Sequence, residues 1–173
     1  MSPLTPRVRI IGDPVLRQKS IPVSFLEDRP AVLDLLLKMF RILEAKEGLG
    51  LAAPQAGVPL RVFIAAPDYL EDLMGHTVFI NPVLEAYGPE EIREEGCLSI
   101  PGIWENVRRP SGVRITATDQ NGQQFSLDLG GLAARLVQHE NDHLDGVLFT
   151  DKLSPMKKRM LRGKLRKLRE END

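Results

Sequence analysis

Two histidines with a carboxylate beside the first stand in the segment Gln138–Leu144. On an α-helix, His139 and His143 lie one turn apart on nearly the same face, so both ring nitrogens can reach one cation. Glu140 is then close to the cation without being a ligand, and its carboxylate can take a proton from water and return it to a leaving group. This spacing predicts metal-assisted hydrolysis.

The chain has 3 His and 1 Cys, and the cysteine is the natural third ligand. A catalytic site of this kind needs three protein ligands and one open position, and the helix supplies only two ligands. Cys97 cannot form an internal disulfide, and Gly96 beside it lets the backbone bend toward a metal. The alternative is that Cys97 is simply a small buried apolar residue.

The segment Gly48–Gly57 is rich in glycine and other small residues. Such residues allow an extended substrate backbone to approach closely. No Gly-Lys-Ser/Thr sequence follows, so the segment is not a phosphate-binding loop. Taken alone, it is equally typical of a helix end followed by a tight loop.

Together these segments resemble the peptide deformylase family. The three family signatures read Gly-x-Gly-x-Ala-Ala-x-Gln, Glu-Gly-Cys-Leu-Ser and Gln-His-Glu-x-Asp-His-Leu-x-Gly, and all occur here in the family's order. The opening segment 12–17 also looks like the family's N-terminal segment, so the resemblance runs from about residue 9 to residue 155. It implies an enzyme that removes the N-formyl group from new polypeptides beginning with formyl-methionine, releasing formate.

The resemblance also implies a role for each site residue. Cys97, His139 and His143 would hold the metal, and Glu140 would move the proton. The Leu98 backbone N–H and the Gln55 side-chain amide would stabilise the oxyanion. Residues lining an extended substrate would be Gly48, Leu49, Gly50, Gly96, Leu132 and Leu136. The leucines fit a plain core equally well.

The ligand types leave the metal open. Two imidazoles and a thiolate suit zinc, ferrous iron, nickel or cobalt. The resemblance implies Fe(2+), whereas a His-Glu-x-x-His helix alone would favour Zn(2+).

Four further residues carry expectations. Arg135 stands where an apolar pocket residue is expected, and Trp104 stands where many relatives carry Arg near the substrate rim. Trp104 is expected to be an exposed aromatic that packs on the peptide. Glu47 and Arg109 match positions that resemble an ion pair, with two solvated surface charges as the alternative. His76 is expected at the surface.

The pattern of apolar residues predicts an α+β fold, with antiparallel sheets packed around a central metal-binding helix and a further helix at the C-terminus. Two strands at 113–117 and 125–129 should pair through the turn residues Asn121-Gly122. The remaining elements predicted are a helix over 31–47 stopped by Gly48, strands over 61–65 and 77–81, the second ended by Pro82, and the metal helix from Leu132 to Gly146.

The C-terminal segment 154–173 is predicted to form a basic helix. From residue 151 onward there are nine Lys/Arg and four Asp/Glu, an excess of five positive charges. Such a helix could dock on ribosomal RNA near the exit of the new chain. The alternative is a solvated helix face that covers the core.

The whole chain is expected to be one catalytic domain, 1–173. Its 42% hydrophobic content supports a sizeable core, and its formal net charge of -1 gives no global attraction to nucleic acid or anionic membrane. With no apolar membrane span or signal peptide in the sequence, we expect a cytoplasmic protein. Two other functions stay open: a zinc peptidase of the His-Glu-x-x-His type, and a catalytically silent ribosome-binding module.

Overall fold

The computed structural model describes residues 7–67 and 70–172 and has the predicted α+β architecture. Its helices are α1 (Phe25–Lys46), α2 (Gly131–Leu144) and α3 (Pro155–Glu170). Its strands are β1 (Gly50–Ala52), β2 (Val62–Ala65), β3 (Val78–Cys97), β4 (Ile100–Thr118) and β5 (Gln124–Gly130). The strands form one sheet in chain order, and all neighbours are antiparallel. Within the described ranges, no helix combines the length and apolarity needed to cross a membrane.

Strand β3 is far longer than predicted. We expected it to end at Pro82, but it continues to Cys97 because the pairing register shifts between Ile80 and Val83. Asn81 takes a φ of 50° at this irregularity. A bulge leaves a residue outside the hydrogen-bonded ladder, so a proline can be accommodated there. The result is a long β3–β4 hairpin whose turn is Leu98-Ser99, with Cys97 at its tip.

The β4–β5 hairpin is confirmed. Ile115 pairs with Leu127, as the alternation of apolar residues predicted. In the turn, the Asp119 carboxylate accepts hydrogen bonds from the N–H groups of Asn121 and Gln123, and Gly122 takes a φ of 82°. A positive φ of this kind favours glycine, so the turn residues read from the sequence are the ones that close the hairpin.

Helix α1 differs from its prediction at both ends. It begins at Phe25, ahead of Pro30, because Glu27 and Asp28 in its first turn favour a helix N-terminus, and the Asp28 carboxylate accepts a hydrogen bond from the Ser24 N–H at 3.0 Å. At the other end Glu47, and not Gly48, takes the left-handed conformation, with a φ of 51°. The N–H groups of Glu47 and Gly48 bond back to Glu44 and Leu43, which satisfies the last carbonyls of the helix.

The sheet is buried on both faces near β2. Phe63 points toward α2, where it packs in a cluster with Val113, Ile115 and Val137. Val62 and Ile64 point the other way and pack against apolar residues of α1. Since side chains alternate along a strand, β2 separates two core layers. Helix α2, the predicted metal helix, is buried because it packs against the layer that contains Phe63.

Helix α3 covers a third apolar cluster. Leu161 is 7% exposed and packs in that cluster, which contains Ile11, Ile100, Ile103, Val107, Leu148, Phe149 and Leu153. Leu165 and Leu168 are partly buried against the same cluster. One side of α3 is therefore tied to the body of the protein, and its other side faces solvent.

Candidate active site

Helix α2 and the tip of the β3–β4 hairpin bring together the three residues that sequence analysis selected as metal ligands. Donor atoms of Cys97, His139 and His143 all lie within 4.8 Å of one another. Cys97 Sγ is 3.3 Å from His143 Nε2, and the two imidazole rings have centroids 5.1 Å apart. One sulfur and two ring nitrogens converging in this way fit a divalent transition metal with a further position open.

Glu95 orients the ring of His139, and sequence analysis missed it. Its Oε2 lies 2.9 Å from His139 Nδ1, which leaves Nε2 free to face the other donor atoms. Arg109 holds the same carboxylate with both arms of its guanidinium, at 2.6 and 3.0 Å, and bonds to Asp142 at 2.8 Å. The predicted Glu47–Arg109 pair is therefore wrong, because Arg109 is buried among other carboxylates and Glu47 is exposed at the end of α1. The sequence did contain a signal that could have identified Glu95, because it is the first residue of the Glu-Gly-Cys-Leu-Ser motif.

The electrostatics of these groups follow from burial and close partners. Burial opposes ionisation of Glu95, but hydrogen bonds from His139 and Arg109 outweigh it and hold the pKa well below the usual range. Burial, reinforced by the charge of His139, pushes the pKa of His143 well below its ordinary value, so that ring is neutral. For His139, burial is outweighed by contacts with Cys97 and Glu95, which raise its pKa. A cation between the thiolate and the ring would replace the Cys97 contact, and ligation requires the neutral ring.

Glu140 is a buried carboxyl group with an unused acceptor. It is 3% exposed, and among the described residues its Oε2 has no hydrogen-bond partner. Burial raises the pKa of Glu140 to about 7. A carboxyl group with a pKa near neutrality can both accept and donate a proton at physiological pH. Its other oxygen lies against β1, since a Cβ added at Gly50 would be 2.7 Å from Glu140 Oε1.

The amide of Gln55 is fixed with its donor toward the three ligand residues. Oε1 accepts a hydrogen bond from the Ala52 N–H at 2.9 Å, so Nε2 is the atom that faces the site. That Nε2 lies 3.1 Å from Ser99 Oγ and 3.5 Å from Cys97 Sγ. Leu98, the other predicted oxyanion donor, sits in the hairpin turn next to Cys97. Both residues predicted to stabilise the oxyanion are thus neighbours of Cys97.

A groove of about 990 Å³ opens beside these groups. It is lined by the six residues that the sequence indicated for substrate binding, Gly48, Leu49, Gly50, Gly96, Leu132 and Leu136. Leu136 is 7% exposed and also belongs to the core under the sheet, whereas Leu49 and Leu132 are more open. One wall is β1, which stands at the end of the sheet. An open strand edge can pair with an extended peptide.

Three residues outside the motifs carried expectations, and the exposed position expected for Trp104 is the one that the structure reproduces. Arg135 lines the groove but is only 6% exposed, and its guanidinium bonds to Glu95. Trp104 is 64% exposed and lies across the backbone of Gly96 at the groove. His76 is half-buried and stacks on Phe125 with ring centroids 3.8 Å apart, so the expectation of a plain surface residue is wrong.

The fold and site together define a hydrolase of the His-Glu-x-x-His class with a cysteine as the third candidate ligand. A family model described as polypeptide deformylase matches residues 6–159. The peptide deformylase of Azotobacter vinelandii is 46% identical over 156 residues, covering 90% of each chain. Peptide deformylase 2 of Xanthomonas campestris is 44% identical over 158 residues, covering 91% of this chain and 92% of that one. The chain belongs to the polypeptide deformylase family.

Solved structures agree with this assignment. The crystal structure of a plant peptide deformylase superposes with a TM-score of 0.86 at 32% identity, covering 99% of this chain and 92% of that one. The Legionella pneumophila peptide deformylase superposes with a TM-score of 0.80 at 38% identity, covering 93% of each. The chain is a metal-dependent enzyme that removes the N-formyl group from newly synthesised polypeptides. The deformylase assignment is therefore preferred to the two alternatives from sequence analysis, a zinc peptidase and a catalytically silent ribosome-binding module.

Proposed function

We propose that Cys97, His139 and His143 hold one divalent cation and that deformylation takes place where this cation meets the groove. The observation that carries the proposal is the convergence of their three donor atoms beside a buried carboxyl group with an unpartnered oxygen, Glu140 Oε2. A divalent cation bound there supplies a Lewis acid that polarises the formyl carbonyl and makes water acidic enough to react near neutral pH.

The protein's own groups then perform the proton transfers and stabilise charge. Glu140 accepts a proton from the attacking water and later returns it to the departing amine. Gln55 Nε2 and the Leu98 N–H donate to the formyl oxygen as it gains negative charge. The hydrogen bond from Ala52 to Gln55 Oε1 keeps the amide from turning over.

The groove orients the substrate. An extended formyl-methionyl chain pairs with the edge of β1 at Gly50, next to the Glu140 carboxylate. Gly48 and Gly96 line the same groove, and the walls at Leu49, Leu132 and Leu136 receive the apolar methionine side chain.

We propose ferrous iron as the metal in the cell. The donor set of one thiolate and two imidazoles also accepts zinc, nickel or cobalt, so iron rests on the family resemblance. The test is to purify the protein without oxygen, measure its bound metals by mass spectrometry, and compare activity before and after exposure to air. Iron in near-stoichiometric amount with activity lost in air supports iron, and stable zinc with full activity contradicts it.

The decisive experiment for the site is formate release from a formyl-Met-Ala-Ser peptide by anaerobic, iron-loaded protein. Glu140→Gln should lower kcat by about 100-fold or more while the bound metal is retained, because a general acid–base contributes on that order. Glu85→Gln, an equal change on an exposed part of β3, is the matched control and should be as active as wild type. Retained activity in Glu140→Gln would contradict the assigned role.

A second proposal concerns helix α3, which we propose docks the enzyme on ribosomal RNA. While Leu161 anchors one side, the exposed residues of the helix include seven cations, Lys158, Arg159, Arg162, Lys164, Arg166, Lys167 and Arg169. Lys157 is partly buried and pairs with Glu105 at 2.7 Å, so it is not counted among them. A dense row of cations on a fixed helix suits the phosphates of folded RNA.

The docking test is salt-dependent co-sedimentation with ribosomes. Replacing Arg159, Arg162 and Arg166 with Gln should weaken binding and flatten its dependence on salt, because fewer counterions are released. Release of formate from a short peptide should not change. The control replaces three exposed cations away from α3, Lys38, Arg93 and Arg114. Equal weakening by both triple variants, or by neither, would rule out a specific role for α3.

A further inference from the structure

Arg135 is a buried arginine that the catalytic roles above do not use. It lies on α2 four residues before His139, and its side chain is only 7% exposed. Its Nη1 is 2.7 Å from Glu95 Oε1 and 2.9 Å from the Val107 carbonyl, and its Nη2 is 2.9 Å from the Glu91 carbonyl. The guanidinium therefore joins α2 to both strands of the long hairpin.

These contacts complete the hydrogen bonding of the Glu95 carboxylate. Oε1 accepts from Arg109 Nε at 2.6 Å and from Arg135 Nη1 at 2.7 Å. Oε2 accepts from Arg109 Nη2 at 3.0 Å and faces His139 Nδ1 at 2.9 Å. With three charged N–H donors in place, the carboxylate cannot rotate without losing a strong bond. The carboxylate that holds the imidazole is thus itself held by both arginines, by Arg109 at each oxygen and by Arg135 at Oε1.

Arg109 does not do this alone, because its Nη1 bonds to Asp142. The cluster contains the buried carboxylate of Glu95 and the partly exposed carboxylate of Asp142, which also lies 3.5 Å from Lys152 Nζ. Removing Arg135 would take away one of the two cationic donors to the buried Glu95 Oε1 and would free one side of that carboxylate. Arg135 and His139 lie four residues apart on one face of α2, and both contact Glu95. The position of the Glu95 carboxylate relative to the imidazole is therefore set from the same helix.

We infer that Arg135 is a positioning residue that acts through Glu95 to hold the His139 ring in the orientation required for metal binding. This inference rests on the proposed ligand role of His139. Groups that orient a ligand histidine typically change metal affinity by about 10- to 100-fold when they are removed.

The experiment measures binding of Co(2+) alone, by competition with a chelator and by the visible spectrum of the bound ion. Arg135→Met should bind Co(2+) about 10- to 100-fold more weakly than wild type, with an altered absorption band. Arg135→Lys keeps the charge but cannot reach all three acceptors, so its loss should be smaller. Arg61→Met is the matched control, because Arg61 bonds to Asn141 and Asp145 near the end of α2 and does not contact Glu95. It should bind Co(2+) like wild type.

The outcomes separate this inference from the ligand assignment. His139→Ala with undiminished Co(2+) affinity would show that the proposed ligand set is wrong. Weak binding by His139→Ala together with wild-type binding and spectrum in folded Arg135→Met would overturn the inference alone. So would an equal loss in Arg61→Met, since the effect would then be general loosening of α2. If Arg135→Met does not fold, the Co(2+) affinity and visible spectrum of Arg135→Lys are used instead. Wild-type values for both in Arg135→Lys would then overturn the inference.

Discussion

At residue 50, a single methyl group would disturb the carboxylate of Glu140, the proposed general base. A Cβ at Gly50 would lie 2.7 Å from Glu140 Oε1 and 2.8 Å from Leu136 Cδ1. Both distances are well below van der Waals contact, so either the strand or the two α2 side chains must move. The glycine of the first motif is therefore required by the close approach of β1 to α2.

Gly50→Ala should lower kcat/KM for formyl-Met-Ala-Ser by about 100-fold, because a displacement of about 1 Å in a catalytic group can cost that much. Steady-state formate release on iron-loaded protein measures it. Gly163→Ala is the control, because nothing in the described part of the chain lies within 4 Å of a Cβ there. Full activity in Gly50→Ala would mean that the groove accommodates the methyl group without moving Glu140.

Trp104 offers an aromatic surface at the groove. Its indole packs across Gly96, where an added Cβ would be 2.7 Å from the ring, and the side chain is nevertheless 64% exposed. An exposed aromatic fixed on one side is suited to cover apolar side chains of a bound peptide.

Trp104→Ala should raise KM for formyl-Met-Ala-Phe by about 3- to 10-fold, as expected for the loss of one aromatic contact, and leave kcat unchanged. The KM for formyl-Met-Ala-Gly should change much less. Comparing the two peptides on both proteins gives the answer. An equal rise for both peptides, or a fall in kcat, would assign Trp104 to general site structure and not to side-chain recognition.

At the scale of elements, the β3–β4 hairpin brings the cysteine to the histidines. The register shifts at Ile80/Val83 and Tyr87/Glu90 let a strand containing Pro82 and Pro89 continue to Cys97. Bulges add bend and twist to a hairpin, which lets its tip reach over α2. Helix α2 needs no bulge to bring its two histidines together, because helical periodicity alone puts His139 and His143 on one face.

Helix α3 contains a glycine that serves no packing role. Gly163 is exposed within the helix, and a Cβ there would meet nothing within 4 Å. Gly163→Ala should raise the free energy of unfolding by about 0.5–1 kcal/mol, because alanine loses less backbone entropy in a helix. Urea unfolding of both proteins at one pH tests this. A decrease in stability, or an unchanged midpoint, would show that α3 unfolds separately from the body of the protein.

At the scale of the whole molecule, an ion pair joins residue 17 to the segment that precedes α3. Arg17, near the start, holds Asp151, which lies just before α3, and the Asp151 carboxylate also accepts a hydrogen bond from the Leu148 N–H at 2.9 Å. Partial burial opposes ionisation of Asp151, but these bonds lower its pKa from the ordinary value of 3.8. A lowered folded-state pKa stabilises the protein above the unfolded value and loses this effect as pH falls through the folded value.

Asp151→Asn should therefore be less stable than wild type at pH 6, and the difference should shrink below pH 3.8. The side chains are 46% and 40% exposed, so solvent screening limits the difference at pH 6 to about 0.5–1 kcal/mol. Urea unfolding at pH 6 and pH 3 measures both values. A difference that stays constant or grows at pH 3 would contradict an ionic origin.

The sequence by itself predicted the candidate site residues, the three helices and parts of four of the five strands. The two histidines and Glu140 could be read from a seven-residue segment because helical spacing is local. The β4–β5 hairpin could be read from alternation and its Asn-Gly turn. The candidate third ligand, Cys97, came from the number of ligands that such a site requires, and the oxyanion and substrate roles came from resemblance.

The tertiary structure alone decided which charges meet and where strands end. Glu95, Arg109, Arg135 and Asp142 come from three different elements, so their buried cluster could not be found from spacing, and Arg109 was expected to pair with Glu47. The length of β3 depended on a bulge that lets a strand pass Pro82. In both cases the physical reason is the same: pairing of buried charges and of strands is selected by neighbours distant in sequence, whereas helix spacing is set within a few residues.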